Sequence, residues 1–309
     1  MIKVITMDFL KVNWLKSGLV LAIVPFLWGC EDVIDLETQT GPPLLVVDGW
    51  IYNQPGPQEI RLSKTGAYFD NAPATPALNA RVWVQDNRGA IYEFKDVSSN
   101  GRYVWEVADS TMGAIGRQYT LHIEHEGEKY TAQNEIKRVP RVDSLIFTHE
   151  SWPTKPEKGP KDGFIAEFYA RDLEGAGDTY WIKPLRDGKP YKSNPVNISI
   201  AYDAAGSKES ATDGLIFILP IRQSLTIGEL FNDKDSVGVE LLSINESAFR
   251  FLEQVRTEAS NGGLFAVPFA NIPGNIKSES GTKALGFFGA SAVSRLEGRV
   301  DANTARPRR

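Results

Sequence analysis

The sequence predicts a mainly β protein: a β-sandwich over residues 43–138, then a second β-rich domain over 141–294 that carries one amphipathic helix. Three observations lead there. Apolar and β-branched residues alternate with polar ones in short runs. Turn residues such as Asn87-Arg88-Gly89, Asn100-Gly101 and Glu126-Gly127 separate those runs, which is how hairpin strands are punctuated. A single segment carries the period of a long helix.

Taken in order, the strands begin with LLVVDGWIY (44–52), which is apolar and β-branched. In ARVWVQD (80–86), Val82 and Val84 alternate with Arg81, Trp83 and Gln85, so the two valines share the buried face. IYEF (91–94), RYVWEV (102–107), RQYTLHIEHE (117–126) and KYTAQNEI (129–136) continue the pattern, with Tyr119, Leu121 and Ile123 on one core-facing side. Val139-Pro140-Arg141 reads as the boundary. Beyond it come LIFTH (145–149), FIAEFYAR (164–171), TYWIKPL (179–185), NISIAY (197–202), LIFILP (215–220) and VGVELLSI (237–244).

The helix is SAFRFLEQVRTEAS (247–260). Ala248, Leu252, Val255 and Ala259 fall on one stripe that suits packing on a sheet, Ser247 can cap its N-terminus, and Asn261-Gly262-Gly263 supplies a left-handed stop. A polar loop then leads into Ala284–Ala290, a last strand, and residues 295–309 read as a flexible tail ending in solvated Arg306–Arg309.

Ahead of the fold lies a targeting segment. Lys3, Lys11 and Lys16 precede the apolar run GLVLAIVPFLW (18–28). As a helix that run rises only ~17 Å against a hydrocarbon core of ~30 Å, so it is a signal peptide's apolar region and not a membrane span. Leu27-Trp28-Gly29-Cys30 resembles the lipobox of bacterial lipoproteins, with Trp28 a bulky departure from the small residue usual there. Residues 1–29 are then a lipoprotein signal peptide, started at Met1 or Met7. Cys30, the single cysteine of the chain, is the lipid attachment site. One cysteine excludes an internal disulfide framework, and a core position is implausible between an apolar leader and the acidic stretch Glu31–Asp35. Residues 30–42 read as a lipidated tether.

Composition narrows the function classes. Net charge is −5 and no basic stripe appears, so nucleic acid is not an expected partner. His122-Ile123-Glu124-His125 cannot chelate through all three ligating groups, because alternate residues of a strand face opposite ways. Ser291 in Gly289-Ala290-Ser291-Ala292 falls short of a nucleophile elbow. No catalytic residue, metal site or cofactor is expected, although a carboxylate pair for glycoside hydrolysis is invisible in sequence. Trp83 and Trp105 stand at strand positions that alternation can turn outward, as ligand- or partner-facing aromatics or as semi-exposed core rings.

Two resemblances add to this reading. Val47–Ile51, Ala80–Val84, Gly89, Gly101-Arg102-Tyr103, Gly116–Leu121 and Gly127–Tyr130 together resemble a carboxypeptidase regulatory-like, prealbumin-type (Ig-like) sandwich. Cys30–Asp35, LVVDGWI, the late helix, and Asn271–Ile276 leading into LGFFGAS resemble the Bacteroidota lipoprotein family known as domain of unknown function 4249. That resemblance implies an outer-membrane lipoprotein, often encoded beside a TonB-dependent transporter, with no known catalytic residues. The leading expectation is a non-catalytic, lipid-anchored protein, facing the cell exterior, that binds or positions a glycan, peptide or partner for such a transporter. The alternative is a stand-alone glycan-binding or adhesive lipoprotein, and behind it a carboxylate-pair hydrolase. Glu31 and Asp32 resemble the export signal of surface lipoproteins. Asp109-Ser110-Thr111, Asp143-Ser144-Leu145 and Asp235-Ser236-Val237 resemble that phylum's O-glycosylation sequence, which would make Ser110, Ser144 and Ser236 acceptors.

Overall fold

The computed structural model describes residues 41–66, 72–106, 112–208, 210–261 and 272–308. The expected signal peptide, the expected lipobox Leu27, Trp28 and Gly29, the expected lipid attachment site Cys30, Glu31, Asp32 and Ser110 all lie outside them.

The first strands form two facing sheets. One holds β1 (Leu45–Tyr52), β2 (Gln58–Lys64) and the short β3 (Thr75–Pro76). The other is built on β4 (Arg81–Asp86) and β5 (Ile91–Phe94). β6 (Arg102–Trp105) returns to β2, while β7 (Gln118–His125) and β8 (Glu128–Glu135) extend the sheet of β4. The alternation read from sequence is realised. Val82 and Val84 point inward, and Tyr119, Leu121 and Ile123 are at most 1% exposed, meeting Val47, Ile51, Ile60 and Leu62 from the opposite sheet. The β7–β8 turn works because Glu126 and Gly127 both hold positive φ, 51° and 82°, the geometry of a tight two-residue hairpin.

The second half contributes β9 (Val142–Ser151), β10 (Asp162–Ala170), β11 (Thr179–Arg186), β12 (Lys189–Pro190), β13 (Ser199–Tyr202) and β14 (Ser236–Ile244). A four-residue helix α1 (Leu219–Arg222) lies between the last two, and α2 (Glu246–Ser260) follows. β15 (Lys277–Ser278), β16 (Ala284–Ser291) and β17 (Val293–Arg299) complete the chain. β12-β11-β14-β17 form a sheet with β13 also paired to β11, and the β9–β10 hairpin covers it. Phe164, Ala166 and Phe168 of β10 meet Tyr180, Ile182, Val239 and Leu241 across this second core.

The two halves are interleaved. β16 pairs in parallel with β1 along its whole length, Leu45 opposite Ala284 through Tyr52 opposite Ser291. Residues 43–138 therefore do not complete the first sandwich; a strand from the far end of the sequence does. Helix α2 sits at the join, with Ala248, Phe249 and Leu252 buried against Tyr202 of β13 and Phe287 of β16.

Several expectations are corrected. Residues 295–308 are not a tail: β17 pairs with β14, Val300 is fully buried, and Arg306 exchanges backbone hydrogen bonds with Phe147 and His149. A half-exposed edge strand carries alternating charges, which hid it. LIFILP is not a strand. Phe217 alone enters the core, Leu215, Ile216, Ile218 and Leu219 are exposed, and α1 opens at Leu219 with Pro220, which has no ladder N–H to give, in its first turn. The cap of α2 is Asn245, not Ser247. Its Oδ1 accepts from the Ala248 amide at 2.8 Å while its Nδ2 donates to Asn134 Oδ1 of β8 at 2.8 Å, a tie Ser247 is not placed to make. Along the stripe Val255 is half-buried and Ala259 exposed. Asn261 is not left-handed, with φ −80°, and Gly262 and Gly263 lie outside the described residues.

Candidate functional site

The site begins with a proline inside a strand. Pro184 of β11 lies in a ladder flanked on one side by β14. On the other side β13 pairs only as far as Ile182, and β12 only from Leu185. Pro184 has no N–H to offer there, so the neighbouring ladder breaks, and residues 191–198 bulge away from the sheet. Only the Pro184 carbonyl is used, accepting from the Tyr191 amide at 2.9 Å. The bulge is not loose. Asn194 Oδ1 accepts from the Val196 amide, Pro195 starts a 3-10 turn over Pro195–Asn197, and Asn197 Nδ2 donates to the Lys192 carbonyl at 3.0 Å.

Between strand and bulge lies a cleft of about 340 Å³, walled by Trp181, Pro184, Pro190, Tyr191 and Ile198, with Lys183 also in its lining. This is the lower end of the usual size for a ligand pocket, with the usual apolar walls and few polar groups. Tyr191 and Lys192 are both committed to Glu229, through a 2.5 Å hydrogen bond and a 3.1 Å ion pair.

Lys183 is different. Its Nζ lies 3.8 Å from the Trp181 ring centroid and donates to Tyr52 Oη at 3.1 Å. Glu240 is its cross-strand neighbour, but that carboxylate is drawn to Arg295 at 2.9 Å. Among the described residues no carboxylate lies within 4 Å of Lys183. Burial pushes its ammonium down to about 8, against the pull of the Glu240 and Asp48 carboxylates. Burial likewise raises the Tyr52 hydroxyl, so it stays protonated. Behind Trp181 an aromatic row runs to Trp50 (5.1 Å between centroids), Phe287 (5.9 Å from Trp50) and Phe251 of α2 (4.8 Å from Phe287).

The residues singled out in the sequence stand elsewhere. Trp105 does not face outward: it is 8% exposed, edge-on to Tyr92 within the first core, because β6 turns that face to the sandwich. Trp83 is half-buried, with His122 stacked on it at 4.9 Å and the Arg81 guanidinium 4.6 Å from its centroid, so its own neighbours already use the ring. His122 and His125 face opposite sides of β7 as alternation requires. Ser144 and Ser236 are half-buried in ladders, opposite Tyr169 and Arg299. Ser291 is fully buried on β16.

Sequence reading found no metal site, yet the fold brings Asp172, Asp203 and Asp213 within 4.8 Å of one another. The first two are buried and already employed. Asp172 accepts from Tyr180 Oη at 2.5 Å and from the Gly214 amide, and Asp203 from the amides of Gly177 and Asp178. Burial holds the Asp172 carboxyl above its ordinary range. Three carboxylates can in principle hold a hard cation. As a hydrolytic pair they lack access, since Asp172 and Asp203 are each 3% exposed.

Among the described residues these features define a mainly β protein with a small apolar cleft at a broken ladder. The family model described as domain of unknown function (DUF4249) matches residues 31–297, and the chain belongs to that family. No curated protein sequence matches it significantly. Among solved structures, a two-domain fibronectin type III segment from chicken tenascin is similar at 13% identity. That match covers 66% of this chain and 91% of the other, with a TM-score of 0.20, a likeness too slight to carry any argument about function.

Proposed function

We propose that this chain is a non-catalytic outer-membrane lipoprotein that binds a small ligand in the Pro184 cleft and positions it for a TonB-dependent transporter. The cleft carries the reading. It is preformed by a backbone defect, rimmed by a hydrogen-bonded turn, and lined by apolar walls around one available cation, which is the composition of a binding pocket. Anchoring rests on the Cys30 motif: two or more acyl chains on that thiol hold a folded body to a bilayer, where a single chain holds only marginally. The chain then acts by holding and presenting, with no bond made or broken.

Metabolic palmitate labelling and affinity purification from detergent-solubilised outer membranes test both halves. The expected outcome is label that enters the natural chain and vanishes in Cys30→Ala, with a β-barrel transporter co-eluting. Label that persists in Cys30→Ala overturns the anchor. A preparation free of any transporter overturns the partnership and favours a stand-alone binding lipoprotein.

A further inference from the structure

We propose that the ligand of the Pro184 cleft carries a carboxylate, received by the Lys183 ammonium, with its ring or branched body against Pro184, Pro190 and Ile198. The inference rests on the cleft being a ligand site and narrows what that site accepts.

The argument is one of unmet charge. An ammonium taken out of water loses hydration and needs replacement interactions. Lys183 has three N–H donors, and one of them goes to Tyr52 Oη. The face of Trp181 supplies a cation–π contact. No carboxylate completes the set. The charged neighbours Lys192, Glu240 and Arg186 are each paired, with Glu229, Arg295 and Asp235 (2.7 Å) respectively. A carboxylate entering between strand and bulge meets a half-buried cation that, among the described residues, has no carboxylate within 4 Å.

The walls restrict what the carboxylate is attached to. Pro184, Pro190 and Ile198 offer no donors or acceptors of their own side chains, and the Asn194 and Asn197 side chains are turned back to the backbone. The polar groups left in the lining besides Lys183 are few, the Trp181 indole N–H and the Ser193 hydroxyl among them. About 340 Å³ admits one ring or one branched residue. A peptide-type acid and an acidic sugar share this chemistry, and experiment separates them.

The pH dependence follows. The groups acting on Lys183 are Asp48 and Tyr52 from β1 and Glu240 from β14, with Arg295 of β17 behind Glu240, while Tyr191 and Lys192 line the same cleft but are turned to Glu229. In the free protein the ammonium is held to about 8, so affinity for a carboxylate falls as pH climbs past that value, while the ligand stays ionised throughout.

Isothermal titration of the full folded chain uses two matched pairs: N-acetyl-leucine against N-acetyl-leucinamide, and galacturonic acid against galactose. The acid of at least one pair is expected to bind 10-fold or more tighter than its neutral twin at pH 7. The gap closes in Lys183→Met, survives in Lys183→Arg, and shrinks between pH 7 and 9.5. Which pair shows the gap identifies the body. Circular dichroism establishes that both variants fold, and the arginine variant serves if the methionine one does not. Acid and neutral twins binding equally overturn the carboxylate inference and leave the cleft as a ligand site. No binding of any of the four at millimolar concentration overturns both.

Discussion

Asp86 shows how much one side chain contributes to the hairpin it closes. It ends β4, is 4% exposed, and accepts hydrogen bonds from the amides of Ala90 and Arg88 at 2.9 Å each and from Arg117 at 3.0 Å. Burial alone would raise its carboxyl; the two amides and the guanidinium outweigh it and hold it below 3.8. A carboxylate depressed in the folded state stabilises fully above its unfolded value and loses that contribution as pH falls through the folded one. Asp86→Asn is therefore expected to cost about 1–3 kcal/mol at pH 7, with the difference from the natural chain narrowing below pH 3.8. Denaturant midpoints across that range measure it, and a gap independent of pH refutes it. The alternation that put Val82 and Val84 inward was legible in sequence. The role of Asp86 was not, because Arg117 stands far along the chain.

At the scale of elements, the pairing of β1 with β16 depends on close approach. The Trp50 indole lies over Gly289, its register partner, and a Cβ there would come within 2.1 Å of a ring carbon. Gly289→Ala must displace Trp50, and with it the contacts to Trp181 and Phe287. Overpacking of this kind costs about 1–3 kcal/mol. The expected result is a lowered melting temperature together with a changed near-ultraviolet dichroism, since two indoles lose their mutual geometry. An unaltered spectrum contradicts the packing. Strand 284–290 was readable from its composition, but not its partner: a parallel pairing across more than two hundred residues leaves no local mark. Pro184 did leave one. A proline within TYWIKPL marks a ladder that cannot close on that side, and this was the available clue to the cleft.

Across the whole molecule, the order of the chain and the order in space differ. β17 forms the edge of the second sheet, and residues 300–306 run back beside β9. Removing residues 293–309 strips an entire strand and the buried Val300 from a fold whose net stability is on the order of 5–15 kcal/mol. Loss of cooperative thermal unfolding is expected by circular dichroism; an unchanged melting curve would return these residues to the status of a tail. The aspartates 172, 203 and 213 illustrate the same point, since loops distant in sequence bring them within 4.8 Å.

Period-two alternation, hairpin turns and one amphipathic stripe, all local signals, determined by themselves that this is a β protein with a single substantial helix, and which faces of its early strands are buried. Tertiary structure alone decided that β16 completes the first sandwich, that Trp105 turns inward, and that among the described residues no carboxylate comes within 4 Å of Lys183 while Lys192 and Glu240 are paired. The physical reason is range. Backbone preference and side-chain alternation act over a few residues and are written along the chain, whereas register between remote strands and the balance of charge around a cleft exist only once those residues share a volume.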